Sequence, residues 1–167
     1  MRAEPDGEKL SRCPTCGKGE LRPQTITQHF EYEGGGERVT VVAENVPVKV
    51  CDACGETLSG PAAARIHTEA IGRALGLLAP AEIRSLRDNL GKTPEEFARL
   101  TGIRAEDLRE WERARTLPSR ALDRYLRLLA ANPENVKLLE GWQPVPAGAS
   151  PANGTPQQPD AVAVKPQ

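Results

Sequence analysis

Two short repeats hold the residues best suited to chemistry: Cys13-Pro14-Thr15-Cys16-Gly17 and Cys51-Asp52-Ala53-Cys54-Gly55. Two residues between thiolates let one tight turn aim both sulfurs at one ion, and two such turns complete a tetrahedron. Gly17 and Gly55 each follow the second cysteine. Glycine there can adopt positive φ and turn backbone N–H groups toward sulfur. Cys13, Cys16, Cys51 and Cys54 are therefore the expected ligands of one structural zinc ion. The same turns also suit iron; zinc is favoured because nothing else in the sequence suggests electron transfer. With four thiolates no coordination position stays open for catalysis, and metal removal is expected to unfold residues 12–60. His29 and His67 read as packing or surface residues. With two histidines and no Ser/His/Asp arrangement, phosphate-cradling loop or paired carboxylates in a plausible cleft, an enzyme is not expected.

The second chemistry-bearing set is arginine. Residues 109–127 hold six Arg against three acidic residues. They lie in or just after the stretch TPEEFARLTGIRAEDLREWERARTLP at 93–118, which has the pattern of a helix-turn-helix. Phe97, Ala98, Leu108 and Trp111 would pack inward, Gly102 would make the turn and Ile103 would plug the junction. The second helix of such a motif lies in the major groove. Arg104 and Arg109 would then reach bases, and Arg113, Arg115 and Arg120 phosphates. Glu106, Asp107 and Glu110 share the outward face, and carboxylates are repelled by phosphate. The alternative is a solvated face in which Arg109 and Arg113 pair with Glu106 and Glu110.

These residues need elements to position them. Thr25–Tyr32 and Arg38–Val50 read as strands, rich in β-branched and aromatic residues, with Gly34-Gly35-Gly36 as the hairpin turn between them. That hairpin fills the 34-residue gap between the cysteine pairs. Pro61 opens a helical stretch with Ala62, Ile66, Ala70 and Leu75 near one face. Pro80 begins a second helix through Ile83, Leu86 and Leu90. Thr93-Pro94-Glu95-Glu96 is a helix start with Thr93 as cap. Ala105–Arg113, a helix after Ser119 (Leu122, Tyr125, Leu126, Leu129) and a short one from Pro133 (Val136, Leu139) complete the set. The expected class is α+β: a small β-rich zinc-binding domain at 12–60, a connecting helix at 61–78, and an all-α five-helix helix-turn-helix domain at 79–141. A flexible arm at 1–11 and a disordered Pro-rich tail at 142–167 flank them.

Composition bounds the function. The 167 residues carry a net charge of −1, unlike a non-specific nucleic-acid coater. Residues 1–60 hold seven Lys/Arg against ten Asp/Glu, whereas 80–141 hold twelve against eleven. Any phosphate-facing surface belongs in the second half. The opening MRAEPDGEKLSR is polar, and no apolar run approaches the roughly 20 residues of a membrane span. The expectation is a cytoplasmic protein, where paired cysteines bind metal rather than form disulfides.

Two segments, RCPTCGKGEL at 12–21 and VVAENVPVKVCDACGE at 41–56, resemble the MqsA antitoxin family with its YgiT-type zinc finger. LGKTPEEFARLTG and LREWERARTLPSRALDRYLRLLAANPENVKLL resemble its Cro-like helix-turn-helix domain. The resemblance implies that the zinc domain binds a small basic RNA-cleaving toxin, and that the C-terminal domain dimerises and binds palindromic operator DNA. It carries the four cysteines over as zinc ligands. Where such helices usually hold Ser, Asn, Thr or Arg, this chain has Glu106, Asp107 and Glu110; Pro94 stands where Gln is frequent and Ala114 where Gly is common. The leading expectation is an antitoxin-type transcriptional repressor with operator DNA, a toxin and a second copy as partners. The alternatives are an interaction and dimerisation module that has lost DNA recognition, and a rubredoxin-like iron protein.

Overall fold

The computed structural model describes residues 11–141. The arm expected at 1–11, apart from Ser11, and the tail expected at 142–167 lie outside the described residues.

Strand β1 (Leu21–Gly34) turns through Gly35 and Gly36 into β2 (Glu37–Cys51). Gly34 pairs with Glu37, and both intervening glycines have positive φ (63° and 81°). That is the two-residue hairpin loop whose backbone twist matches the strands it joins. Toward the cysteines β1 runs four residues and β2 one residue further than alternation suggested, so the ladder closes with Leu21 opposite Cys51.

One irregularity sets which side chains face inward. Between the Ile26–Val46 and Gln28–Ala43 pairs, Glu44 and Asn45 oppose Thr27 alone. Asn45 takes the left-handed conformation (φ 58°), which asparagine tolerates better than most residues. The extra residue shifts the alternation by one. Val41 and Ala43 before the bulge and Val46 and Val48 after it therefore point to the same buried face. A short β3 (Thr57–Ser59), not anticipated from sequence, pairs with Val48–Val50 and gives the sheet order β1-β2-β3.

Helix α1 (Pro61–Ala74) covers that face. It buries Ala63 and Ala70 there, with Ile66 and Ile71 partly covered, while Gly72 is buried against Leu117 and Ala62 is exposed. The expected face was thus out of phase by one residue at its start. Small residues decide the docking, because they let the helix axis approach the sheet. The helix is a wall of the β unit's core as well as a connection.

After a link at 75–79 come α2 (Pro80–Asn89), α3 (Pro94–Thr101), α4 (Ala105–Glu112), α5 (Arg120–Ala131) and α6 (Pro133–Glu140). Ile83, Leu86, Phe97, Ile103, Leu108, Trp111 and Leu126 form their common core. Helix α5 also holds the link. Asp123 accepts the Leu78 N–H at 2.6 Å, and Arg127 donates to the Gly76 carbonyl at 2.9 Å. Arg120 pairs with Glu37 at the hairpin end. No helix among the described residues is long and apolar enough to cross a membrane.

Candidate metal centre and helix-turn-helix surface

The ladder end at Leu21–Cys51 brings the two cysteine turns together, and the four sulfurs lie within 4.8 Å of one another. Cys13 Sγ is 3.8 Å from Cys54 Sγ, and Cys16 Sγ is 3.7 Å from Cys51 Sγ. A metal–sulfur bond of about 2.3 Å corresponds to a tetrahedron edge of about 3.8 Å. The donor set therefore fits a tetrahedral thiolate-bound ion. Gly17 and Gly55 do take positive φ (65° and 73°). Their own N–H groups, however, close each turn onto the carbonyls of Cys13 and Cys51.

Backbone amides beyond those glycines act on the sulfurs. The N–H groups of Gly19 and then Lys18 pull the Cys16 thiol down to about 6. The N–H of Cys16 lowers Cys13 in the same way. Cys54 goes the other way, to about 12. The N–H of Glu56 is its largest single influence and acts downward, but burial and the other three thiols together outweigh it. Sulfurs this close cannot all ionise without a cation among them, so the cluster is built for one, and binding releases the remaining protons. His67 faces Gln28 Oε1 and the Phe30 ring, and His29 is exposed on β1.

At the helix-turn-helix, the Thr93 hydroxyl accepts the Glu96 N–H at 3.2 Å while the Glu96 carboxylate accepts the Thr93 N–H at 2.8 Å. That reciprocal pair starts α3, and Gly102, at φ 74°, ends it. Ile103 is buried beneath the turn and α4 follows. Each of the five arginines meets a carboxylate. Arg104 donates twice to Asp107, both bonds 2.8 Å. Arg109 reaches across to Glu95 on α3. Arg115 and Arg113 both approach Glu110, at 3.1 and 3.9 Å. The self-paired face thus exists: Arg113 meets Glu110, as expected, three residues apart, whereas Arg109 meets Glu95 in place of Glu106. Arg120 stands apart from the others, at the start of α5 against Glu37 and the Leu75 carbonyl.

The chain matches the family described as the antitoxin component of the bacterial toxin-antitoxin system, MqsA, over residues 11–140. The chain belongs to the MqsA antitoxin family. Relatives in Escherichia coli K12, O6:H1 and O157:H7, each described as the uncharacterized HTH-type transcriptional regulator YiaG, are 40% identical over 58 residues. That match covers 35% of this chain and 60% of each relative.

In this MqsA-family chain, sequence reasoning missed two groups that support the sites. The first is a buried ion pair. Arg87 on α2 binds Glu112 at the end of α4 through two bonds, Nε–Oε1 2.7 Å and Nη2–Oε2 3.0 Å, with both residues 9% exposed. The signal was present in the stripe Leu108, Trp111, Glu112, whose i, i+3, i+4 spacing puts Glu112 on the inward face. The second is Asp52, between the second pair of cysteines. Its Oδ1 accepts the Glu20 N–H at 2.9 Å and its Oδ2 binds Arg22. The Glu20 N–H and, after it, Arg22 hold that carboxylate below its ordinary range. Only the tertiary fold places Asp52 next to Glu20.

Proposed function

We propose that this MqsA-family antitoxin holds one structural zinc ion through Cys13, Cys16, Cys51 and Cys54 and acts in the cytoplasm as a stoichiometric DNA-binding repressor. The observation that supports this best is the joining, in one chain, of a complete four-thiol cluster to a capped helix-turn-helix. Helix α4 would enter the major groove, with Arg104 and Arg109 at base edges and Arg113 and Arg115 at phosphates. Arg120 would join them only if it left Glu37. The β unit, acidic over residues 1–60, would take the basic toxin. Leu128 and Leu138, 62% and 73% exposed on α5 and α6, are apolar side chains that a homodimer would cover.

The test is fluorescence anisotropy of the full chain on its own upstream DNA across a salt series, with elemental analysis of the same sample. Tight binding with a steep salt slope, preference over scrambled DNA and one zinc per chain are the expected results. Arg109→Ala should weaken operator binding by about 1–3 kcal/mol. Unchanged affinity in that variant removes Arg109 from the base-reading set.

One observation favours a second reading, that of an interaction and dimerisation module without DNA recognition. Every arginine assigned to DNA already has a carboxylate partner, and DNA would have to displace Asp107, Glu95 and Glu110. Exposed pairs of this kind contribute only about 0–1 kcal/mol, so phosphate could compete for them. No binding at low salt would select this reading. A red iron-loaded sample would select the rubredoxin-like one.

A further inference from the structure

The two cysteine turns are joined to each other by more than their thiols. Asp52 sits between Cys51 and Cys54, yet its carboxylate bonds to the other turn. One oxygen accepts the Glu20 N–H at 2.9 Å, and the other takes Arg22 Nε and Nη2 at 3.2 and 3.1 Å. The backbone of Asp52 repeats the link, its N–H donating to the Glu20 carbonyl at 3.1 Å. Both carboxylate oxygens are thus engaged, leaving Asp52 no part as a ligand. Gly19, one residue before Glu20, is pressed against the second turn. A Cβ there would lie 2.5 Å from Cys51 Sγ and 2.7 Å from the Ala53 Cβ. The Gly19 carbonyl meanwhile accepts the Cys13 N–H, closing the first turn.

We propose that Asp52, with Arg22 and Gly19, forms a clasp that holds the two cysteine turns at ligand spacing with or without metal, and so sets how slowly the metal leaves. The inference rests on the four-thiol metal reading and assigns positioning residues to it. Small zinc modules commonly assemble only when metal arrives. Here the turns are already joined by protein bonds. The cluster of Cys13, Leu21 and Cys51 also stands beside a separate apolar core formed by Val41, Ala43, Val46, Val48, Ala63 and Ala70. A metal-free chain keeps that core and the clasp, which leaves four thiols ready to rebind an ion without refolding.

The experiment loads the full chain with cobalt(II), then follows transfer of the ion to an excess of chromogenic chelator. Partners bonded directly to a metal ligand change affinity about 10–100-fold when removed, and Asp52 acts one step further out. Asp52→Ala is therefore expected to release cobalt about 5–10-fold faster, with Asp52→Asn in between. Arg22→Ala combined with Asp52→Ala should be no faster than Asp52→Ala alone, because both remove one clasp. The thiolate-to-cobalt absorption bands should be the same in all variants, which a change of ligand would not allow. Release by Asp52→Ala within twofold of wild type, or altered cobalt bands, overturns the clasp. Failure of the wild-type chain to take up cobalt at all overturns the metal reading itself, a separate outcome. Should Asp52→Ala lose its fold by circular dichroism, Arg22→Gln, which touches only the exposed side, carries the same rate comparison.

Discussion

Replacing Glu112 with alanine tests how the helix-turn-helix is held to the helix before it. Arg87 and Glu112 are each 9% exposed and share two charge-assisted bonds, at 2.7 and 3.0 Å. Truncation strands a guanidinium in the core of the helical unit. Two such bonds at about 1.5–3 kcal/mol each set the scale, and removal of one partner of a buried pair costs about 3–5 kcal/mol. Arg87 keeps the Lys92 carbonyl at 3.0 Å and Asp88 at 2.6 Å. The Asp88 side chain is 57% exposed, so it compensates weakly. The expected loss is about 3–4 kcal/mol, a large share of the stability of a unit this size. At about 4 °C or more per kcal/mol, the melting point falls by at least about 12 °C. The assay is urea unfolding followed by tryptophan fluorescence in a Trp142→Phe background, so that buried Trp111 reports alone. The double variant Arg87→Met with Glu112→Leu removes both charges and should lie within about 1 kcal/mol of the parent. A Glu112→Ala midpoint within about 1 kcal/mol of the parent would refute this account, as would a double variant no better than the single.

Four further outcomes are expected of the same fold. Metal removal should quicken hydrogen exchange at residues 15–18 and 53–56 while the Glu20 and Asp52 amides of the clasp, Val41–Val50 and α2–α6 keep their protection, since the clasp is made of protein bonds and the cores are separate; loss of protection throughout 12–60, the outcome expected from the cysteine spacing alone, would contradict it. Gly102→Ala should cost about 1–2 kcal/mol in urea, because a side chain at φ 74° strains the backbone. Hydrogen bonding from the Thr93 N–H holds Glu96 below its ordinary value of 4.5, so the capping box stabilises above that pH and its contribution is lost as pH falls through the folded-state pKa. The melting-point advantage of wild type over Glu96→Gln should therefore shrink as pH is lowered from neutral through the acid range, and a constant gap would count against the assignment. Asp123→Ala should expose the Leu78 amide to rapid exchange and cost about 1–3 kcal/mol, since it removes a buried acceptor; retained protection at Leu78 would show that the link is held some other way.

Local chemistry was legible in the sequence wherever the deciding partner was near in the chain. Cys-x-x-Cys-Gly encodes its own turn, because spacing and a glycine at positive φ suffice. The Gly34–Gly36 hairpin and the Thr93–Glu96 start are local for the same reason, and so is the Gly102 turn with Ile103 beneath it. Periodicity alone identified Phe97, Leu108, Trp111, Leu126 and Leu129 as inward residues, and the structure buries each of them.

What only tertiary structure decided are matters of phase and of distant partners. The Glu44–Asn45 bulge shifts the inward face of β2 by one residue, and nothing in an alternating valine run announces it. Docking on that sheet, through small residues, rotated the buried stripe of α1 from Ala62 to Ala63. Arg109 and Arg120 were legible as exposed cations, but their partners, Glu95 and Glu37, are 14 and 83 residues away. Asp52 meets Glu20 and Arg22 only because Leu21 pairs with Cys51 at the open end of the hairpin. A carboxylate's residue type states that it carries a charge; which donor it meets depends on how the backbone brings remote segments to within about 3 Å.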